Sequence, residues 1–119
     1  MDSLNYQNNK EIARKLGNEK IEFSDQIKIK KFGFFSKFED RNLLITNRAI
    51  YNLKNIEIKR RIIIHDLYGI TYSKNSNQFV LHSNENEYDD LFLSERRDII
   101  IRLLNALYEE EKKKNYCFL

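Results

Sequence analysis

The sequence has no proline, only three glycines and a single cysteine. Without proline and with little glycine, its turns must be built from Asn, Asp, Ser and Lys. The lone Cys117 excludes a disulfide framework and a cysteine zinc site, which favours a reducing compartment. No apolar run approaches the roughly 18 residues that a membrane span needs, and no signal-peptide core is present. These absences predict a cytoplasmic domain.

Charge is distributed unevenly along the 119 residues, which are enough for one domain with a buried core. Residues 26–61 contain ten basic and three acidic residues, a net +7. The remainder, with eleven basic and fifteen acidic residues, carries −4. Such a dipolar pattern orients a protein on an anionic surface. The alternative is that each lysine lies on an ordinary solvated strand face.

The hydrophobic pattern predicts a mainly β domain with a helix at each end. Ile12 and Leu16, followed by Gly17, indicate a short helix over residues 8–16. Runs of β-branched and aromatic residues, separated by polar turns, predict seven strands. The strands are residues 21–31, 42–46, 49–53, 58–65, 68–73, 78–82 and 88–93.

Ser94 is the predicted N-cap of an amphipathic C-terminal helix of about five turns. Its apolar stripe consists of Ile100, Leu103, Leu104 and Leu107. Closely spaced strands followed by one helix predict an antiparallel barrel or sandwich whose open end the helix closes. The predicted division is an N-terminal helical extension over residues 1–20, the β domain with its helix over 21–114, and a tail over 115–119.

Six short motifs follow one another in the order of a known family. They are F-S-D-Q-I-K at 23–28, D-R-N-L-L-I-T-N at 40–47, A-I-Y-N-L at 49–53, K-R-R-I at 59–62, Q-F-V-L-H at 78–82 and D-D-L-F-L at 89–93. Together they resemble the pleckstrin-homology-like tail domains of class I myosins. The resemblance implies a seven-stranded antiparallel barrel capped by a C-terminal α-helix, and inositide binding. Lys30 or Lys31 and Arg41 match the inositide signature, whereas Glu39 stands where the family has a base.

The chain also resembles the acylated pleckstrin-homology proteins of apicomplexan parasites. That resemblance implies phosphatidic acid as the ligand and the surface of a secretory organelle, the microneme, as the location. The myristoylation motif of these proteins is absent, because Asp2 follows Met1. A domain taken from a longer protein would fit this pattern.

Strand parity predicts a phosphate pocket at one mouth of the barrel. Counting in twos from the apolar residues puts three cations in the inward phase: Lys31, Arg41 and Arg60. Four more lysines would surround them: Lys28, Lys30, Lys37 and Lys59. These seven residues are the predicted headgroup-binding set. The alternative is that β-bulges shift the parity and the cations face water.

The loop over residues 31–38 reads K-F-G-F-F-S-K-F, four aromatic residues around Gly33. Phe32 and Phe38 are expected to pack on the barrel as strand ends. Phe34 and Phe35 are predicted to insert into a membrane interface, because exposed rings beside lysines suit the headgroup boundary. Burial of both rings and contact with a protein partner are the alternatives.

The predicted function is a peripheral membrane module that recognises acidic phospholipid, either phosphatidic acid or a phosphoinositide, through this basic, aromatic-tipped first hairpin. The alternative is a protein–protein interaction module of a larger signalling or trafficking protein, using the acidic stretch 85–90 or an open sheet edge.

Catalysis, cofactors and metals are not predicted, since His65 and His82 lack metal-ligand spacing and no nucleophile or phosphate-loop motif occurs. Nucleic acid is not a predicted partner either, because the aromatic and basic residues gather in one loop. A monomer is expected. S-acylation of Cys117 and an unmodified tail both remain open.

Overall fold

The computed structural model describes residues 1–31, 37–84 and 90–116. A 3₁₀ turn at Tyr6–Asn8 precedes the short helix α1, Lys10–Leu16. The strands are β1 Ile21–Lys31, β2 Glu39–Thr46, β3 Ala49–Lys54, β4 Glu57–Ile63, β5 Leu67–Tyr72, β6 Gln78–Ser83 and β7 Asp90–Leu93. Helix α2, Arg97–Tyr116, follows them. The predicted mainly β architecture with a helix at each end is confirmed.

The seven strands form one antiparallel sheet in the order β4-β3-β2-β1-β7-β6-β5. Strand β1 pairs with β2 over residues 21–29 and with β7 over residues 28–31, so it joins the two halves of the sheet. The edges of the sheet are β4 and β5, which a 3₁₀ turn at Ile64–Asp66 connects. The strand predicted over residues 58–65 therefore ends earlier, at Ile63.

The sheet curls around a core that α2 completes with one apolar stripe. Ile100, Leu104 and Leu107 recur at helical spacing and are buried. They belong to the same cluster as Phe79 and Phe92, whose ring centroids are 5.1 Å apart. Fully burying a side chain of this size contributes about 1.5–3 kcal/mol. Neither helix in the described part of the chain is long and apolar enough to cross a membrane.

Ser94 does not occupy the N-cap position of α2, which begins three residues later, at Arg97. Its hydroxyl accepts the backbone N–H of Arg96 at 3.0 Å, and its carbonyl accepts the N–H of Arg97 at 3.2 Å. These bonds form a tight turn that precedes the helix. The predicted position was wrong because a polar turn separates β7 from the first helical residue.

The N-terminal segment covers the outer face of β2 and β3. Ile12 and Leu16 are buried in a second apolar cluster with Tyr51 and Leu53. The Asn9 side chain caps α1 by accepting the N–H of Ile12 at 3.0 Å. Because the core lies on its other face, β3 is covered on both sides, and residues 49–53 are all buried.

Candidate functional site

One end of the sheet, here called the mouth, collects three connections. Residues 32–38 join β1 to β2, a turn at Asn55 and Ile56 joins β3 to β4, and residues 84–89 precede β7. The antiparallel register places the end of β1, the starts of β2 and β7 and the β3–β4 turn at the same end. The predicted headgroup-binding residues lie on, or next to, strands that lead into this mouth.

Arg41 lies on the inward face of β2, opposite Ile27 of the core. Its Nη2 donates to Glu39 Oε2 at 2.7 Å, and its Nη1 donates to the carbonyl of Asp40 at 2.9 Å. The Arg41 side chain is only 15% exposed. Glu39, the residue that departs from the myosin signature, therefore already binds the guanidinium.

Arg60 lies two residues before Ile62 of the core and binds a buried carboxylate. Its Nη1 donates to Asp90 Oδ2 at 2.7 Å, and Asp90 is only 3% exposed. Breaking such a pair by removing one partner costs about 3–5 kcal/mol, because an uncompensated charge stays buried. Asp90 lies at the start of β7 and neutralises Arg60.

Two buried oxygens near this pair have no hydrogen-bond partner in the described part of the chain. They are Oδ1 of Asp90 and Oδ1 of Asn52, which lies directly opposite Arg60 in the β3–β4 pairing. A buried acceptor without a donor is costly, so both oxygens attract donors. The inward face of the mouth thus combines its cations with carboxylate and amide acceptors.

The lysines on the strand exteriors hold their partners more weakly. Lys28 Nζ lies 4.0 Å from Asp40 Oδ1, with 58% of the Lys28 side chain exposed. Lys59 Nζ donates to Glu57 Oε1 at 3.0 Å, again at the surface. Exposed ion pairs contribute about 0–1 kcal/mol. These ammonium groups can therefore exchange a carboxylate for another anion at little cost.

Lys30 and Lys37 flank the start of β2. Lys30 Nζ lies 5.8 Å from the ring centroid of Phe38, which is 37% exposed rather than packed on the barrel, and Lys37 is exposed. Other predicted site residues lie outside the described residues: Phe34, Phe35 and the side chain of Lys31.

Lys15 and Lys54, which the sequence did not single out, also lie near Glu57. A hydrogen bond from Lys59, and then its charge, hold the pKa of Glu57 below its usual value, with smaller contributions from Lys54 and Lys15. Lys15 Nζ donates to the carbonyl of Ile56 at 2.9 Å. Lys15 was missed because it comes from α1, far away in the sequence.

A groove of about 250 Å³ lies away from the mouth, between edge strand β5 and α2. Leu67 and Ile70 of β5 and Ile101 and Leu104 of α2 supply its apolar lining. Tyr68, also on β5, is 69% exposed beside it. In this groove an open sheet edge, β5, adjoins an apolar surface.

Comparison with solved structures defines the class of the domain as pleckstrin-homology-like. The DH/PH fragment of PDZRHOGEF, solved with human RhoA, matches with a TM-score of 0.66 and 9% identity, over 83% of this chain and 31% of that one. Inner Membrane Complex sub-compartment protein 3 of Toxoplasma gondii matches with a TM-score of 0.60 and 12% identity, over 75% of this chain and 77% of that one. These likenesses confirm the predicted fold.

Sequence comparison assigns the chain to a particular family within this fold class. The family model described as "unconventional myosin tail, actin- and lipid-binding" matches residues 1–117, so the chain belongs to that family. The myosin ID heavy chain of Dictyostelium discoideum is 30% identical over 126 residues. That alignment covers 91% of this chain but only 11% of the myosin, so the chain spans about a tenth of its relative.

Proposed function

We propose that this chain is a peripheral membrane module that binds acidic phospholipid at the mouth, on the cytosolic face of a membrane. The observation that carries the proposal is a set of three exposed lysines at one end of the sheet: Lys28, Lys37 and Lys59. Lys28 and Lys59 form only weak surface ion pairs. The lipid-binding description of the family agrees with it.

The lysines and arginines have different roles in this proposal. Each lysine near an anionic bilayer contributes about 1 kcal/mol of attraction. Arg41 and Arg60 are bound to Glu39 and Asp90, so a phosphate at either guanidinium would compete with a carboxylate. We therefore expect headgroup charge to matter more than headgroup stereochemistry. Phosphatidic acid and a phosphoinositide both satisfy this requirement.

Phe34 and Phe35 complete the proposal as the inserting residues of the first hairpin. Partial burial of a ring contributes about 1–2 kcal/mol. The free energy from these two rings, added to that from a few lysines, corresponds to reversible membrane binding. A second membrane signal elsewhere in a parent protein would therefore be needed for stable attachment.

Co-sedimentation with vesicles tests the proposal. Phosphatidylcholine vesicles are doped in turn with phosphatidic acid, phosphatidylserine and phosphoinositides at fixed salt. We expect binding to the anionic vesicles, weakened by Lys28→Gln/Lys37→Gln and by Phe34→Ala/Phe35→Ala. The control Lys20→Gln/Arg48→Gln removes two charges at the opposite end of the sheet, beside the β2–β3 turn, and should bind normally. Absence of binding by the folded, unmodified chain would refute the proposal.

A protein-binding role is the second candidate. Actin is part of the family description, and the groove between β5 and α2 adjoins an open sheet edge that could pair with an extended segment. Co-sedimentation with actin filaments tests it. The acidic stretch 85–90, proposed from the sequence for this role, lies outside the described residues except for Asp90, which is buried.

A further inference from the structure

The β3–β4 turn at the mouth is held in place by the N-terminal segment. The Tyr6 hydroxyl donates to the carbonyl of Asn55 at 2.9 Å, and Lys15 Nζ donates to the carbonyl of Ile56 at 2.9 Å. Asn55 has a φ of 59°, the left-handed conformation that asparagine tolerates in tight turns. Both carbonyls at the tip of this turn are thus bound by side chains that precede the sheet. The N-terminal segment is therefore a structural part of the mouth.

The tip of this turn combines one apolar side chain with several cations. Ile56 is 37% exposed although it is a large aliphatic residue. Lys15, Lys54 and Lys59 lie around the single carboxylate of Glu57, and their charges lower its pKa. The local charge is therefore positive even after Glu57 is counted. An exposed aliphatic residue ringed by ammonium groups has the chemistry of a bilayer contact, with the apolar chain entering the interface and the cations meeting phosphate.

We propose that this turn cluster, Ile56 with Lys15, Lys54 and Lys59, is a second contact with an anionic bilayer, and that α1 supplies one of its cations. The inference rests on the proposed function and extends it to a part of the chain outside the barrel. The first and third hairpins are two strand spacings apart, about 10 Å, and open at the same end of the sheet. One membrane plane can therefore touch both hairpins.

Removal of charge tests the electrostatic half of the inference. Lys15→Gln/Lys54→Gln should lower the partition coefficient on phosphatidylcholine vesicles containing phosphatidic acid by about 5-fold for each charge, about 25-fold in total. The matched control Lys20→Gln/Arg48→Gln removes two exposed charges near the β2–β3 turn and should change it less than 2-fold, about the error of such an assay. Circular dichroism and thermal unfolding check that all variants stay folded. The loss should shrink as salt is raised.

A fluorescent reporter tests the apolar half. The chain has no tryptophan, so Ile56→Trp introduces a single indole at the tip of the turn. Its emission should shift to the blue on anionic vesicles, and lipids brominated on the acyl chain should quench it. Ile99→Trp is the matched control, because Ile99 is exposed on α2, outside the turn cluster. Its emission should not change.

The outcomes separate this inference from the proposed function. If the unmodified chain binds no anionic vesicle, the proposed function fails and the inference falls with it. If the unmodified chain binds but Lys15→Gln/Lys54→Gln binds equally well, the proposed function stands and the inference is overturned. An Ile56→Trp reporter that stays in water on bound protein overturns it as well. If Lys15→Gln/Lys54→Gln binds vesicles normally but no longer binds actin filaments, the turn cluster is a contact with the filament and the inference is overturned.

Discussion

Substitution of Glu19 should destabilise the domain more than any change at the neighbouring surface carboxylates. Glu19 lies between α1 and β1, and its side chain is only 12% exposed. Its carboxylate accepts the hydroxyl of Tyr51 at 2.7 Å and 2.9 Å and that of Thr46 at 2.6 Å. Arg61 Nη2 donates to it at 3.3 Å. The group thus links the N-terminal segment to three strands.

The magnitude follows from what each partner loses in Glu19→Ala. A hydrogen bond to a charged group contributes about 1.5–3 kcal/mol. The two hydroxyls keep other partners, since Arg61 Nε still donates to Tyr51 and the N–H of Ala49 still donates to Thr46. The net loss should therefore be about 2–3 kcal/mol, below the sum of two such bonds. At about 4 °C per kcal/mol for a domain of this size, Tm should fall by about 8–12 °C.

Urea unfolding followed by circular dichroism measures the effect. Glu22→Ala is the matched control, because Glu22 also lies at the start of β1 but has a surface ion pair with Lys20 at 3.9 Å. It should cost less than about 1 kcal/mol. A double-mutant cycle with Tyr51→Phe should show a coupling energy of about 1 kcal/mol or more. Equal stabilities of Glu19→Ala and Glu22→Ala would refute the reasoning.

Two further predictions concern the start of α2 and the response to acid. Arg97→Met should destabilise the domain by about 2–3 kcal/mol in urea unfolding. The Arg97 guanidinium donates to the carbonyls of Ser73 and Ser76 and lies 5.1 Å from the Tyr72 ring centroid. The control is Arg102→Met, because Arg102 is exposed, and an equal effect of the two substitutions would contradict the prediction. Burial raises the pKa of Asp2, but hydrogen bonds from Ser24 and from the N–H groups of Gln7 and Tyr6 outweigh it, so this pKa lies below 3.8. The contribution of the Asp2 carboxylate to the free energy of unfolding is therefore present above pH 3.8 and is lost as pH falls through the folded-state pKa. Asp2→Asn should flatten that part of a plot of unfolding free energy against pH, and an unchanged slope would contradict the assignment.

Much of the fold could be predicted because its elements carry periodic apolar patterns. The stripe of α2 and the alternation in β1 predict which residues reach the core. The predicted residues of β1 are buried, as are Ile100, Leu104 and Leu107 of α2, whereas Leu103 is only partly buried against the core. Residues 49–53 are different, because all five are buried. An alternating apolar pattern predicts burial of only one face of a strand, so it could not predict this. The cause is the N-terminal segment, which covers the outer face of β3 from far away in the sequence. Its helix was predicted, but its docking site could not be.

The candidate site was harder to predict, because position on a strand does not reveal a partner. Every second residue of a strand faces the same side of the sheet, and this alternation correctly predicts that Arg41 and Arg60 lie on the inward face. The partner of Arg41 could have been found in the same way, since Glu39 lies two residues earlier on the same strand. The partner of Arg60 could not, because Asp90 is thirty residues away and reaches it only through the pairing of β7 with β1.

Under the proposed function, the paired arginines would allow the domain to carry a basic window and still bind a membrane reversibly. Glu39 and Asp90 neutralise the two guanidinium groups on the inward face of the mouth, where an unpaired charge would be costly. The lysines on the exterior need no such compensation, because water solvates them. In the proposed function, the positive charge that a bilayer would meet therefore lies at the rim of the mouth, on Lys28 and Lys37 and in the turn cluster. Attraction from a rim falls steeply with salt and depends on the density of anionic lipid, which suits a module that leaves the membrane when that density falls.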